Sequence, residues 1–355
     1  VAIGYGSVRK KDLTTAVSTV STEDMKVRPV TEASGFIQGK VAGVTVQQTS
    51  GLPGSGMTVR VRGASSIASN LKVPKTLIGL TIIAFGTSAP ELAVSIKALA
   101  SGSSDMVLGN VFGSNILNIL LILGVSAFIR PIAVHSNAVK KEIPICILVT
   151  ALLVNLCLDT QLQSGTSNVV DRGDGITILL FFGVFLYYLI STALQSRDRK
   201  QVEKPKWKLP LSLLFTGLGL AGIIFGSDLV VDSATTIATA MGVSQRIIAL
   251  TIIALGTSLP ELVTSIVSAR KGETELLLGN ILGSNIFNIC VVLGVPIAIF
   301  GSVDASNFSY IDIAGLLISA FTLFIFSSTK RKLSRAEGAF MLVLFAIYYT
   351  FVFVI

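Results

Sequence analysis

From about residue 76 to its end the chain is a succession of apolar runs, and their length limits the fold more than any other feature. The hydrocarbon core of a bilayer is about 30 Å thick and takes about 20 helical residues to cross. Nine runs of that order are read at roughly 76–99, 106–128, 143–158, 175–194, 209–240, 244–268, 276–299, 311–328 and 336–355. With 51% hydrophobic and 14% charged residues among 355, the composition excludes a soluble enzyme and implies a polytopic, all-α membrane protein. An outer-membrane barrel would need alternating strands of about ten residues. The runs here are about twice that length and do not alternate.

The net charge of +8 does not imply a nucleic-acid partner, because the basic residues stand in short clusters between the runs, next to the lipid bilayer. Arg197 to Lys208 holds six Lys or Arg and Lys330 to Arg335 holds four; Arg130 to Lys141 and the pair Arg270 and Lys271 are basic as well. The positive-inside rule places these loops in the cytoplasm. The alternate loops, near 101–105, 159–174, 241–246 and 302–309, are poor in Lys and Arg and are read as external. Strict alternation then puts everything before Lys75 in the cytoplasm. Cys146, Cys157 and Cys290 lie inside apolar runs at spacings of no zinc site or disulfide framework, and are read as packing residues.

Residues 1 to about 70 are different in kind. They are rich in Thr, Ser, Val and Gly, with alternating apolar positions such as Val44 and Val46, then Val59 and Val61, which is the chemistry of strands and turns. There is no initiator Met and no basic stretch leading into an apolar one, so the chain is expected to begin mid-sequence. A domain boundary is expected at 70/71, followed by a first membrane half at 71–196 and a second at 209–355.

The membrane part contains an internal duplication. At an offset of 170, residues 80–124 match 250–294 without a gap, with roughly 25 identities in 45 positions. The first copy reads LTIIAFGTSAPEL then GNVFGSNILNILLILG, and the second LTIIALGTSLPEL then GNILGSNIFNICVVLG. With five spans per unit the copies start from opposite sides. Inverted repeats of this kind place a substrate site near the bilayer midplane, at the repeat interface.

Each copy sets one carboxylate, Glu91 or Glu261, in an apolar span, where an ionisable group is costly and marks an ion or proton pathway. Pro90 and Pro260 precede them, and each removes a backbone hydrogen bond and frees a carbonyl four residues back. Thr87, Ser88, Thr257 and Ser258 stand three or four residues earlier on the same helix face. Ser114 with Asn118, and Ser284 with Asn288, are i, i+4 pairs, and Gly109, Gly113, Gly279 and Gly283 permit close helix packing. Carboxylate, hydroxyl, amide and carbonyl oxygens without His or Cys suit hard cations such as Ca²⁺ or Na⁺. Asp228 and Asp232, near the outer end of the 209–240 run, are weaker candidates for ion entry. No paired nucleophile and base, HExxH or phosphate-cradling loop is present, and His135 sits in a loop beside basic residues, so an enzyme is not expected.

The motifs GTSAPE with GSNILN, and GTSLPE with GSNIFN, resemble the two α-repeats of the sodium/calcium exchanger (cation/calcium antiporter) family. The resemblance covers about 71–355, including RPIAVHS in the middle. It implies a ten-helix fold of two inverted five-helix halves that exchanges external Na⁺ for internal Ca²⁺ by alternating access. It also implies Glu91 and Glu261 as central ligands. Thr87, Ser88, Thr257, Ser258, Ser114, Ser284, Asn118 and Asn288, with the carbonyls of Ala84 and Ala254, would complete the sites. Some members carry Asp where this chain has Asn118 or Asn288. With Asn at both there are two formal negative charges, which leaves stoichiometry and a role for K⁺ or H⁺ open.

The family's first helix would precede Leu71, and no apolar run stands there, so nine of ten helices are expected. Residues 1–70, with IGYGSVRKKDLTTAVSTV and IQGKVAGVTVQQTSGLPGSGMTVRVRGASSIASN, instead resemble the first part of the plug domain of SusC-like TonB-dependent outer-membrane receptors. The two resemblances together imply a joined or mis-assembled chain.

Overall fold

The computed structural model describes residues 73–162, 167–196, 208–219, 241–243 and 245–354, with residues 2–3, 6–7, 45–48, 57–60 and a few isolated positions of the remainder. The chain divides into two compact units, Val1–Gly63 and Ala64–Ile355. The first contains two antiparallel strand pairs, β1 (Ala2–Ile3) with β2 (Gly6–Ser7) and β3 (Thr45–Gln48) with β4 (Met57–Arg60). Val46 pairs with Val59, in line with the alternation read at those positions. Val44 and Val61 lie outside the described residues, as does most of the plug-like segment.

The second unit is helical. A bent pair, α1 (Lys75–Thr87) and α2 (Ala89–Ala100), turns by 43° at Ser88, and α3 (Ser104–Ile129) follows it. Next come α4 (Ile143–Leu156), α5 (Arg172–Gln195) and α6 (Leu209–Gly219), the last being the described start of the 209–240 run. A second bent pair, α7 (Ala249–Thr257) and α8 (Leu259–Lys271), turns by 52° at Ser258. Helices α9 (Thr274–Phe300), α10 (Tyr310–Lys330) and α11 (Arg335–Val354) complete it. Eight of the nine expected spans are thus seen as helices or bent pairs. The rest of the ninth, with Asp228 and Asp232, lies outside the described residues.

The bends follow from local chemistry. Proline lacks an N–H but is well suited to the first turn of a helix. Pro90 and Pro260 occupy that turn in α2 and α8, so each begins a new helix; the reading that placed them inside a continuous one is corrected in this respect. Glu91 and Glu261 then fall in the first turn, where the helix dipole favours a negative charge. A second irregularity was not legible. Wide, π-type turns occur at Gly79–Ile83 and Ala249–Ile253, and again at Leu117–Leu123 and Asn288–Leu293, in both repeats. Such turns are single-residue insertions that often sit at functional sites.

Helices α3 and α9 form the centre. Most of each is buried, whereas α5 and α11 present Leu180, Val184, Tyr187, Ile190 and Phe351 outward, as a protein bathed in lipid requires. The repeats interlock. A Cβ on Gly113 of α3 would stand 2.6 Å from Ala254 Cβ and 2.7 Å from Leu250 O, and one on Gly283 of α9 would stand 2.7 Å from Ala84 Cβ and 2.8 Å from Leu80 O. Each central helix therefore lies backbone to backbone against the bent helix of the other repeat. Cys146, Cys157 and Cys290 are free and buried in the apolar core, as expected of packing residues.

Loop contacts agree with the alternation of sides. Short strands β5 (Ile132–Ala133) and β8 (Lys332–Leu333) pair two of the basic loops, and β6 (Val169–Val170) and β7 (Val303–Asp304) pair two of the loops poor in Lys and Arg. His135 Nε2 lies 2.8 Å from Glu275 Oε1 on the basic side, and Asn307 donates to Asp105 on the other.

Candidate functional site

The interlocked helices bring the duplicated polar residues to one place. Glu91 and Glu261 are both 0% exposed, and Thr87, Ser88, Thr257, Ser258, Ser114, Ser284, Asn118 and Asn288 are all buried too. The bend at Ser88 turns its hydroxyl toward the opposite repeat, where Ser88 Oγ donates to Glu261 Oε1 at 3.0 Å. The bend at Ser258 does the reverse, with Ser258 Oγ donating to Glu91 Oε1 at 3.1 Å. Each carboxylate is thus held by a serine of the other copy. Ser284 Oγ also reaches Glu261 Oε1 at 3.1 Å, whereas its counterpart Ser114 turns to Asn110 Oδ1 at 3.5 Å. One serine reaches Glu91 and two reach Glu261.

The other carboxylate oxygens, Glu91 Oε2 and Glu261 Oε2, have no hydrogen-bond partner among the described residues, and the same holds for Asn118 Oδ1 and both amide atoms of Asn288. A buried polar group without a partner costs about 1–3 kcal/mol, and more when charged. These atoms are therefore poised for something further that is polar. Asn118 Nδ2 donates across the repeats to Asn285 Oδ1 at 2.9 Å. Ala84 O accepts from Ser88 N at 2.9 Å and Ala254 O from Ser258 N at 3.1 Å, so both carbonyls expected as ligands sit at the bends, engaged within their own helices.

Two residues in the cluster escaped the reading of the sequence. Asn110 and Asn280, in the GN pairs that open GNVFGSN and GNILGSN, are buried beside the glutamates. Asn110 Oδ1 accepts from Thr257 Oγ1 at 3.2 Å, and Asn280 Oδ1 accepts from Thr87 Oγ1 at 3.4 Å. Their signal was present: they repeat at the same offset of 170 and stand one turn before Ser114 and Ser284. His135, read as a loop residue, takes no part in this cluster: its Nε2 faces Glu275 in the first turn of α9.

The arrangement offers carboxylate, hydroxyl and amide oxygens converging from both repeats in an apolar surround. Among the described residues no group of three or more His, Cys, Asp or Glu occurs, so the oxygen supply beyond the two carboxylates is neutral. Such a set suits a hard cation taken from water and returned to it.

Comparison with known proteins gives two separate likenesses. Residues 9–79 match the TonB-dependent receptor plug domain, and a 70-residue stretch is 53% identical to the TonB-dependent receptor P26 of Formosa agariphila, covering 20% of this chain and 7% of that one. The remainder is similar to a candidate antiporter, CaxA of Alkalimonas amylolytica, at 41% identity over 80% of this chain and 90% of the relative. This chain is also similar in fold to the sodium-calcium exchanger NCX_Mj, seen in a study of extracellular ion exchange and binding-site occlusion. The TM-score is 0.67, with 33% identity over 81% of this chain and 90% of the other. The sodium/calcium exchanger protein model matches residues 55–191 and 211–354, so both interlocked repeats fall within it, and the chain belongs to the sodium/calcium exchanger family.

Proposed function

We propose that this cation/calcium antiporter works in the inner membrane, exchanging Ca²⁺ for Na⁺ by alternating access, with Glu91 and Glu261 as its central ligands. The observation that carries this is the pair of buried glutamates, each gripped through Oε1 by a serine of the opposite repeat and each with Oε2 unpartnered. Two carboxylates close together in a medium of low dielectric repel strongly. One Ca²⁺ or two Na⁺ would balance them, and both together would overcharge the site. Mutually exclusive occupancy of this kind is what exchange requires. Thr87, Thr257, Ser114, Ser284, Asn118, Asn288 and the carbonyls of Ala84 and Ala254 would fill out the six to eight oxygens that Ca²⁺ prefers. On the positive-inside rule, the basic 197–208 segment and the residues before Lys75 would lie in the cytoplasm.

The test is flux in membrane vesicles. Glu91→Gln and Glu261→Gln should each abolish Ca²⁺ uptake driven by a Na⁺ gradient, because a dication facing one charge is left under-neutralised. Uptake near the unmutated level in either variant would end this reading.

A second reading is favoured by the plug match at 9–79. In it the N-terminal segment derives from an outer-membrane receptor, stands where the first gating helix should be, and leaves the chain unable to transport. Its Arg9, Lys10, Lys11, Asp12, Glu23, Asp24, Lys26 and Arg28 would each cost about 2.5–3.5 kcal/mol at the centre of a membrane helix for the basic and aspartate members. Replacing residues 1–70 by an apolar helix should then restore Na⁺-driven Ca²⁺ uptake. Equal uptake by the two versions would refute it.

A further inference from the structure

We propose that Asn110 and Asn280 are positioning residues of the ion site, each fixing the direction in which a threonine of the opposite repeat points its hydroxyl proton. Asn110 is fully buried and uses its whole amide. Nδ2 donates to Glu91 O at 3.1 Å and to Ser95 Oγ at 3.1 Å, and Oδ1 accepts from Thr257 Oγ1 at 3.2 Å and from Ser114 Oγ at 3.5 Å. Two donors and two acceptor directions are all that an asparagine has. The orientation is fixed by its surroundings, because the main-chain oxygen of Glu91 can only accept and so must face the NH₂ group.

The consequence falls on Thr257. Its other partners, Ile253 O at 3.0 Å and Ala254 O at 3.4 Å, are acceptors as well, so all three compete with the Glu91 carboxylate for its single proton. A proton drawn to any of the three leaves the Thr257 oxygen available to a cation as a ligand. Without the amide oxygen the hydroxyl could turn and donate to Glu91, presenting hydrogen where a ligand is needed. Asn280 repeats the device more lightly: Nδ2 donates to Thr264 Oγ1 at 3.2 Å and Oδ1 accepts from Thr87 at 3.4 Å. Each asparagine also ties the glutamate-bearing helix of its own repeat to the central helix, α2 to α3 and α8 to α9.

This inference rests on the glutamate-centred reading above, and the experiment separates the two. The full chain, purified in lipid nanodiscs, would be melted at increasing Ca²⁺, since a ligand bound to the folded state raises the midpoint in proportion to its affinity. Thr257→Val, which removes the ligand oxygen, should weaken Ca²⁺ by roughly tenfold, Asn110→Ala by no more than that, and the double variant by little more than Thr257→Val alone, because the asparagine acts through the threonine. Asn110→Asp, which keeps the acceptor toward Thr257, should hold Ca²⁺ at least as tightly as the unmutated chain. Where Asn110→Ala does not fold, Asn280→Ala with Thr87→Val gives the same comparison with two bonds broken instead of four. Unchanged Ca²⁺ affinity in the alanine variant, additive losses in the double, or an Asp variant as weak as Ala would each overturn the proposal. Glu91→Gln, run beside them, should lose the Ca²⁺-dependent shift. If it does so while the asparagine variants behave as unmutated, the positioning role alone falls; if it keeps the full shift, both readings fall.

Discussion

At the scale of single residues, the two glutamates are not equivalent. Glu91 Oε1 is reached by Ser258 alone of the serines, while Glu261 Oε1 is reached by Ser88 and Ser284. A hydrogen bond to a charged group is worth about 1.5–3 kcal/mol. Ser258→Ala should therefore weaken Ca²⁺ more than Ser284→Ala, by roughly a further tenfold, as read from the Ca²⁺ dependence of uptake; equal losses would contradict the asymmetry. Much of this cluster was legible beforehand, because an intramembrane glutamate beside a proline and repeated at a fixed offset has few structural explanations. What escaped was Asn110 and Asn280. Buried amides in membrane helices are common as interhelical contacts, and spacing along the chain does not say that Thr257 will be delivered to Asn110 by another repeat.

At the scale of helices, hydropathy located the spans and the prolines located the bends, since both effects are local. The wide turns at Gly79–Ile83 and Ala249–Ile253 were not readable, because nothing in GLTII or ALTII differs from an ordinary helical run. Their threonines mark them only in retrospect: Thr81 Oγ1 donates to Leu77 O and Thr251 Oγ1 to Ile247 O, both at 2.6 Å. The glycines give a direct test of the interlocking. Gly113→Ala would push a methyl to 2.6 Å from Ala254 Cβ against backbone that cannot yield, at a cost of about 1–3 kcal/mol. Gly183→Ala on α5 meets nothing within 4 Å and should be neutral or stabilising by up to about 1 kcal/mol. Thermal melting of the two variants in detergent checks the contrast, and similar midpoints would show that the close approach of α3 to α7 carries no weight.

At the scale of the whole molecule, sidedness is the open expectation. A reporter in the 197–208 loop should label from the cytoplasm and one at the C-terminus from outside, and the reverse pattern would overturn the charge reading. The pairing of β5 with β8 and of β6 with β7 requires that each pair share a side whichever way the protein is inserted. The interlocking has a consequence in time as well as in space. Glu91 is closed in by Ser258, and Gly283 packs on Ala84, so the first repeat cannot finish its own core. At about 5–20 residues per second, the ribosome needs roughly 10–30 s to travel the 170-residue offset between the copies. Through that interval the nascent first repeat stands in the membrane with its carboxylate uncovered. Whatever holds it there, whether water, lipid headgroups or the insertion machinery, must release it when the second copy arrives.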